Sequence, residues 1–73
     1  MKKVFELIDL DCAHCAARME DGIRKLEGVT DVSVSLLTQK LTLEANDDVF
    51  EKVLKQAIKI CRKIEPDCTV VVK

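Results

Sequence analysis

Along this chain the spacing of apolar positions switches between two residues and roughly three and a half, and each switch predicts an element. Residues 3–9 read as a strand, with Phe5 and Leu7 on an uncharged face and Glu6 between Val4 and Ile8 on a wetter one. From Ala13 to Glu27 the positions Ala16, Met19, Ile23 and Leu26 recur at helical spacing, and Gly28 supplies a left-handed stop. Gly22 inside that helix costs up to about 1 kcal/mol relative to alanine, which close packing against the sheet or a second helix would explain. Val32, Val34 and Leu36 then alternate with Asp31, Ser33 and Ser35, the pattern of a strand with one buried face. Leu37-Thr38-Gln39 forms the turn into a hairpin partner lined by Leu41 and Leu43. Asn46-Asp47-Asp48 caps a long helix running to Lys63, with Asp48 and Glu51 at capping-box spacing. Its core stripe is Phe50, Val53, Leu54, Ala57, Ile58, Cys61 and Ile64. Acids crowd its start and Lys59, Arg62 and Lys63 its end, as the helix dipole favours. Pro66 closes a loop, and Cys68 to Val72 form the last strand.

Strand, helix, strand, strand, helix, strand is an α+β order. With one-faced strands it predicts a ferredoxin-like βαββαβ sandwich, a four-stranded antiparallel sheet with both helices on one face. Residues 1–73 make one domain, near the lower limit for unaided stability, and a hydrophobic content of 48% is enough for its core. A net charge of -1 with only Phe5 and Phe50 as aromatics leaves neither a basic footprint nor a stacking platform for nucleic acid. No apolar stretch approaches the roughly 18 residues needed to span a bilayer, and Glu6, Asp9 and Asp11 interrupt any signal-like start. The chain therefore reads as a cytoplasmic monomer, where four cysteines are thiols or metal ligands in preference to a disulfide framework.

Cys12 and Cys15 hold the chemistry. A lone C-x-x-C is compatible with metal capture, with redox exchange or with neither; its placement narrows the choice. Cys15 falls in the first turn of the first helix and Cys12 in the loop before it. Thiol pKa values fall at helix N-termini, and the thiolate is the form that binds metal. Two sulfurs supply half of a four-coordinate zinc shell, which suits an ion meant to be handed on. His14, between them, reads as a residue that projects into solvent or tunes the thiols, with direct ligation the lesser alternative. Cys61 lies on the helical core stripe and Cys68 in phase with Val70 and Val72, so both read as small hydrophobes. Met1 and Leu37 read as exposed apolar contacts or plain surface. The rival function is a thiol-disulfide oxidoreductase, but a thioredoxin-like scaffold asks for another order of elements and a proline facing the dithiol. The sole proline is Pro66. No residue is assigned a catalytic role.

The order of elements, with C-x-x-C between first strand and first helix, resembles the heavy-metal-associated domains of metal-transporting P-type ATPases and the small metallochaperones related to them. The likeness covers essentially the whole chain and is most specific at Leu10-Asp11-Cys12-Ala13-His14-Cys15, Leu26-Glu27-Gly28-Val29 and Ile64-Glu65-Pro66-Asp67. It implies metal binding through Cys12 and Cys15, and service to a membrane pump through its soluble or membrane domains. Asp11, where copper members have Thr or Ser, is similar to the zinc, cadmium and lead branch and implies a third ligand; as an acid before a helix it also reads as a cap. Pro66 occupies the region where copper members place a lysine or an aromatic ring. Zinc, cadmium or lead is therefore the expected ion, with copper(I) the alternative on the same fold.

Overall fold

Strand alternation and helical spacing leave each element one apolar face, and the computed structural model, which describes residues 1–72, brings those faces together. The elements are β1 (Lys2–Ile8), α1 (Ala13–Arg24), β2 (Val29–Ser35), β3 (Lys40–Ala45), α2 (Phe50–Ile64) and β4 (Thr69–Val71). Lys73, the last residue of the expected domain, lies outside the described residues. The strand order is β2-β3-β1-β4 with every pair antiparallel, so the chain forms the expected ferredoxin-like sandwich. Phe5, Leu7, Leu41 and Leu43 from the two central strands meet Ala16, Met19 and Ile23 of α1 and Phe50, Val53, Ala57 and Cys61 of α2 in one cluster. Burying a side chain the size of Ile23 contributes about 1.5–3 kcal/mol. Among the described residues no polar or charged side chain is buried with it.

Position in the sheet decides which apolar residues are covered. On edge strand β2 only Val32 is buried; Val34, and Leu36 in the turn beyond it, are half-buried. The open edge is closed by α1 instead. The Glu20 carboxylate accepts the Val34 N–H at 3.1 Å, Arg24 donates to the Val32 carbonyl at 3.2 Å, and the two side chains pair at 2.9 Å. These bonds occupy edge groups that would otherwise template another strand.

Helix ends depart from the sequence expectation. α1 stops at Arg24, not Glu27, because Leu26 N–H donates to the Ile23 carbonyl and tightens the last turn. Gly28, at φ +94°, then turns the chain into β2. Gly22 is explained by helix packing: a Cβ there would stand 3.1 Å from Ile60 Cγ2 on α2. The capping box at Asp48 and Glu51 does not form, since Asp47–Val49 make a 3₁₀ turn and α2 begins only at Phe50. Neither Asn46 nor Val49 gives a side-chain cap bond. Dipole matching survives through Glu51 in the first turn and Arg62 and Lys63 in the last. β4 is shorter than expected, because Cys68 N–H turns back to the Glu65 carbonyl at 3.0 Å.

Candidate metal site

Strand register gathers three connections at one end of the sheet. β1 ends at Ile8 opposite Thr69, where β4 begins, and β3 begins at Lys40 opposite Glu6. The β1–α1 loop, the β2–β3 turn and the α2–β4 loop therefore meet. In the first of these, Asp9 adopts φ +65° and Leu10 drives its side chain into the core, 3% exposed. That anchor delivers Asp11 and Cys12 to the mouth of α1.

Cys12 is itself the N-cap. Its backbone is extended, its carbonyl accepts Ala16 N–H at 3.0 Å, and its Sγ accepts Cys15 N–H at 3.2 Å. A sulfur thus fills the place usually taken by a Ser, Thr, Asp or Asn oxygen. Asp11, which its position suggested as a cap, stands one residue too early; it is exposed and makes no cap bond among the described residues. His14 is also exposed, on the first turn, as expected. The two thiols are half-buried, free of disulfide and within reach of solvent.

The helix mouth treats the two sulfurs unequally, where the sequence argument expected both to be lowered. A hydrogen bond from the Cys15 thiol, then the backbone N–H groups of Cys15 and His14, hold Cys12 below the ordinary thiol range. Cys15 is pushed up to about 11, first because it donates to Cys12, then by burial, by the Cys12 charge and by the Glu65 carboxylate. The two thiols titrate together, with Cys12 the one favoured to ionise first. A cation held by both sulfurs would have to displace the Cys15 proton, since a ligating thiol must be deprotonated.

The fold gathers the two sulfurs in advance, with Glu65 beside Cys15. Among the described residues no group of three or more His, Cys, Asp or Glu side chains is arranged to hold an ion. Cys61 and Cys68 are buried at 0% and 2% exposure, the core fillers their spacing predicted. Burial, and then the neighbouring Cys68, push Cys61 up to about 11. Two contributors escaped the sequence reading. Glu65, beside the proline that drew attention, places its charge on both thiols. Gln39, read only as a turn residue, hydrogen-bonds the backbone of Leu10. A cleft of about 490 Å³ lined by Gly28, Asn46, Asp48 and Lys52, among others, sits at the far end of the sheet and contains no thiol.

A dithiol on an accessible loop of a ferredoxin-like sandwich defines a small metal-binding module of the P-type ATPase and metallochaperone kind. The heavy-metal-associated domain family matches residues 4–66, and the chain belongs to that family. It is 41% identical over 44 residues to the zinc/cadmium/lead-transporting P-type ATPase of Escherichia coli, a match covering 60% of this chain and 6% of that protein. The chain thus spans a small fraction of that relative. It is 33% identical over 64 residues to the copper chaperone CopZ of Enterococcus hirae, covering 88% of this chain and 86% of the chaperone. Among solved structures it resembles the Cu(I)-loaded N-terminal domain of a potential copper-translocating P-type ATPase from Bacillus subtilis. That match has a TM-score of 0.76 at 26% identity, over 99% of this chain and 85% of the other. No helix among the described residues is long and apolar enough to cross a membrane.

Proposed function

We propose that Cys12 and Cys15 hold a soft divalent ion (zinc, or cadmium or lead in its place), that Asp11 turns in as a third donor, and that the domain serves a metal-efflux P-type ATPase from the cytoplasm. The carrying observation is the carboxylate charge around the dithiol: Glu65 acts on both thiols, and Asp11 directly precedes Cys12. A carboxylate about 4 Å from a unit charge interacts by roughly 4 kcal/mol at an effective dielectric near 20, and a divalent ion doubles that. Desolvation erodes both figures, yet the difference between a divalent and a monovalent ion keeps its sign. Zinc(II) also completes its shell with oxygen donors, and the vacancy beside two sulfurs admits a carboxylate or an acceptor's ligand. Exposure of the pair makes the hand-off direct, because an incoming donor reaches the ion before either cysteine leaves.

Copper(I) is the second reading. Two thiolates satisfy it without a third donor, and the likeness to CopZ runs along most of both chains. The test is competition between copper(I) and zinc(II) in the native protein and in Asp11→Thr. Loss of the carboxylate weakens zinc much more than copper if the divalent reading is right; equal weakening refutes it. Zinc titration of Cys12→Ala and Cys15→Ala addresses the sulfurs, and undiminished stoichiometric binding in both overturns their assignment.

A further inference from the structure

We infer that Gln39 is the positioning residue of the metal loop: its carboxamide grips both backbone groups of Leu10 and fixes where Cys12 stands before an ion arrives. This rests on the proposed assignment of Cys12 and Cys15 as the ion's ligands. Leu10 N–H donates to Gln39 Oε1 at 3.0 Å, while Gln39 Nε2 donates to the Leu10 carbonyl and, at 2.8 Å, to the Leu36 carbonyl. The main-chain carbonyl of Gln39 accepts Leu7 N–H at 2.8 Å. One residue of the β2–β3 turn therefore ties the exit of β1, the loop and its own turn together. Leu10 is two residues from Cys12; its buried side chain and the two cap bonds at Cys12 are the other anchors of this stretch.

The chemistry asks for this side chain. A carboxamide carries an acceptor oxygen and a two-proton donor nitrogen side by side, the set these three bonds use. Asparagine is one methylene shorter, and glutamate matches the shape but, when ionised, cannot donate. Gln39 also sits at φ +55°, where L-residues are uncommon and glycine is at ease. A turn needing only that backbone is better served by glycine, so a separate benefit attaches to the side chain. With the grip in place Cys12 is already set as the helix cap; without it, residues 9–12 must be ordered when the ion binds.

Gln39→Gly relieves the backbone and removes the grip, while Gln39→Glu keeps the volume and removes the donors. Amide hydrogen exchange by NMR, urea unfolding and zinc(II) affinity by chelator competition are measured on the full chain for both variants. In Gln39→Gly the Leu10 amide is expected to lose protection, whereas the Gln39→Glu carboxylate can still accept it; in both variants β1 and β3 amides are expected to exchange as in the native protein. Zinc affinity of Gln39→Gly is expected to fall roughly tenfold, about 1.4 kcal/mol. A folded variant that keeps native zinc affinity with its Leu10 amide exposed overturns the inference. Uniform loss of protection across the sheet, or failure of both variants to fold, makes Gln39 a structural residue and also overturns it. Zinc binding by the native protein no better than by Cys12→Ala refutes the ligand assignment instead. Even then, retained Leu10 protection in Gln39→Gly separately sinks the grip.

Discussion

Substituting Gly28 with alanine is expected to cost this domain about 2–5 kcal/mol, and two separable effects make up that sum. The backbone at Gly28 stands at φ +94°, where a Cβ crowds its own carbonyl; the left-handed penalty is about 1–2 kcal/mol. That Cβ would also stand 2.6 Å from Cγ2 of Val49, with Val53 Cγ2 next at 3.7 Å. Val49 is β-branched and half-buried, so it cannot swing aside as a lysine would, and overpacking of this kind costs about 1–3 kcal/mol. Domains hold roughly 0.05–0.15 kcal/mol per residue, which makes the loss a large share of the whole. The assay is urea unfolding with linear extrapolation, where a slope near 1 kcal/mol per molar lowers the midpoint by about 2 M or more. Adding Val49→Ala to Gly28→Ala separates the two effects: it relieves the clash and leaves the backbone strain. Val29 pairs with Ala45 at the end of the sheet away from Cys12, so zinc affinity of the folded variant should not change. A midpoint shift under about 0.3 M refutes the reasoning, since at that slope it would mean a few tenths of a kcal/mol. Complete rescue by Val49→Ala would refute the backbone part alone.

Three further outcomes follow from the same geometry. Gly22→Ala gains up to about 1 kcal/mol of helix propensity but presses on Ile60 Cγ2; it should destabilise the native protein and stabilise an Ile60→Ala background, and the same sign in both backgrounds in urea melts would refute the contact. Iodoacetamide near neutral pH should label Cys12 well before Cys15 and leave Cys61 and Cys68 untouched until unfolding, while Glu65→Gln should speed labelling of Cys15 near pH 9 by removing a charge that holds its proton; equal labelling rates by mass spectrometry, or no effect of the substitution, would contradict the unequal thiols. Cys61 is raised in the folded state from an ordinary 9.0 to about 11, so its contribution is fully present below pH 9 and is lost as pH rises through 11; urea midpoints should fall across that window, and Cys61→Ala should make the slope shallower.

What the sequence revealed and what it hid divide along a physical line. Apolar spacing is a record of burial, so it disclosed the order of elements, the core faces and the two buried cysteines. It misplaced the helix ends, because those depend on single hydrogen bonds: Leu26 N–H to the Ile23 carbonyl shortens α1, and the 3₁₀ turn at Asp47–Val49 replaces a capping box. Cys12 and Cys15 were legible because residue type, spacing and the helix start coincide in one stretch of chain. Glu65 and Gln39 were not, since 50 and 24 residues separate them from Cys15 and only the sheet register brings their segments to it. Each had a local reading that concealed the distant one, a residue beside a proline and a residue in a turn. The inequality of the two thiols was hidden for a related reason: a helix mouth predicts a field on both, whereas their mutual contact lowers Cys12 and raises Cys15.

The two ends of the sheet solve the same backbone problem in opposite ways. At the end near Ala45 the left-handed position belongs to Gly28, because a side chain there would strike Val49. At the end near Cys12 the left-handed positions belong to Asp9 and Gln39, with no glycine in the loop or the turn. Each costs about 1–2 kcal/mol of local strain that glycine would avoid. At Gln39 the side chain is in use: its carboxamide accepts one hydrogen bond and donates two, which offset the strain. Net contributions near 1 kcal/mol per bond are comparable with the strain they oppose, so the loop is held without being locked. That balance suits the carrier role proposed for the domain. On that reading a glycine-built loop would order Cys12 less firmly, and a loop stitched into the sheet would not yield an ion to another donor.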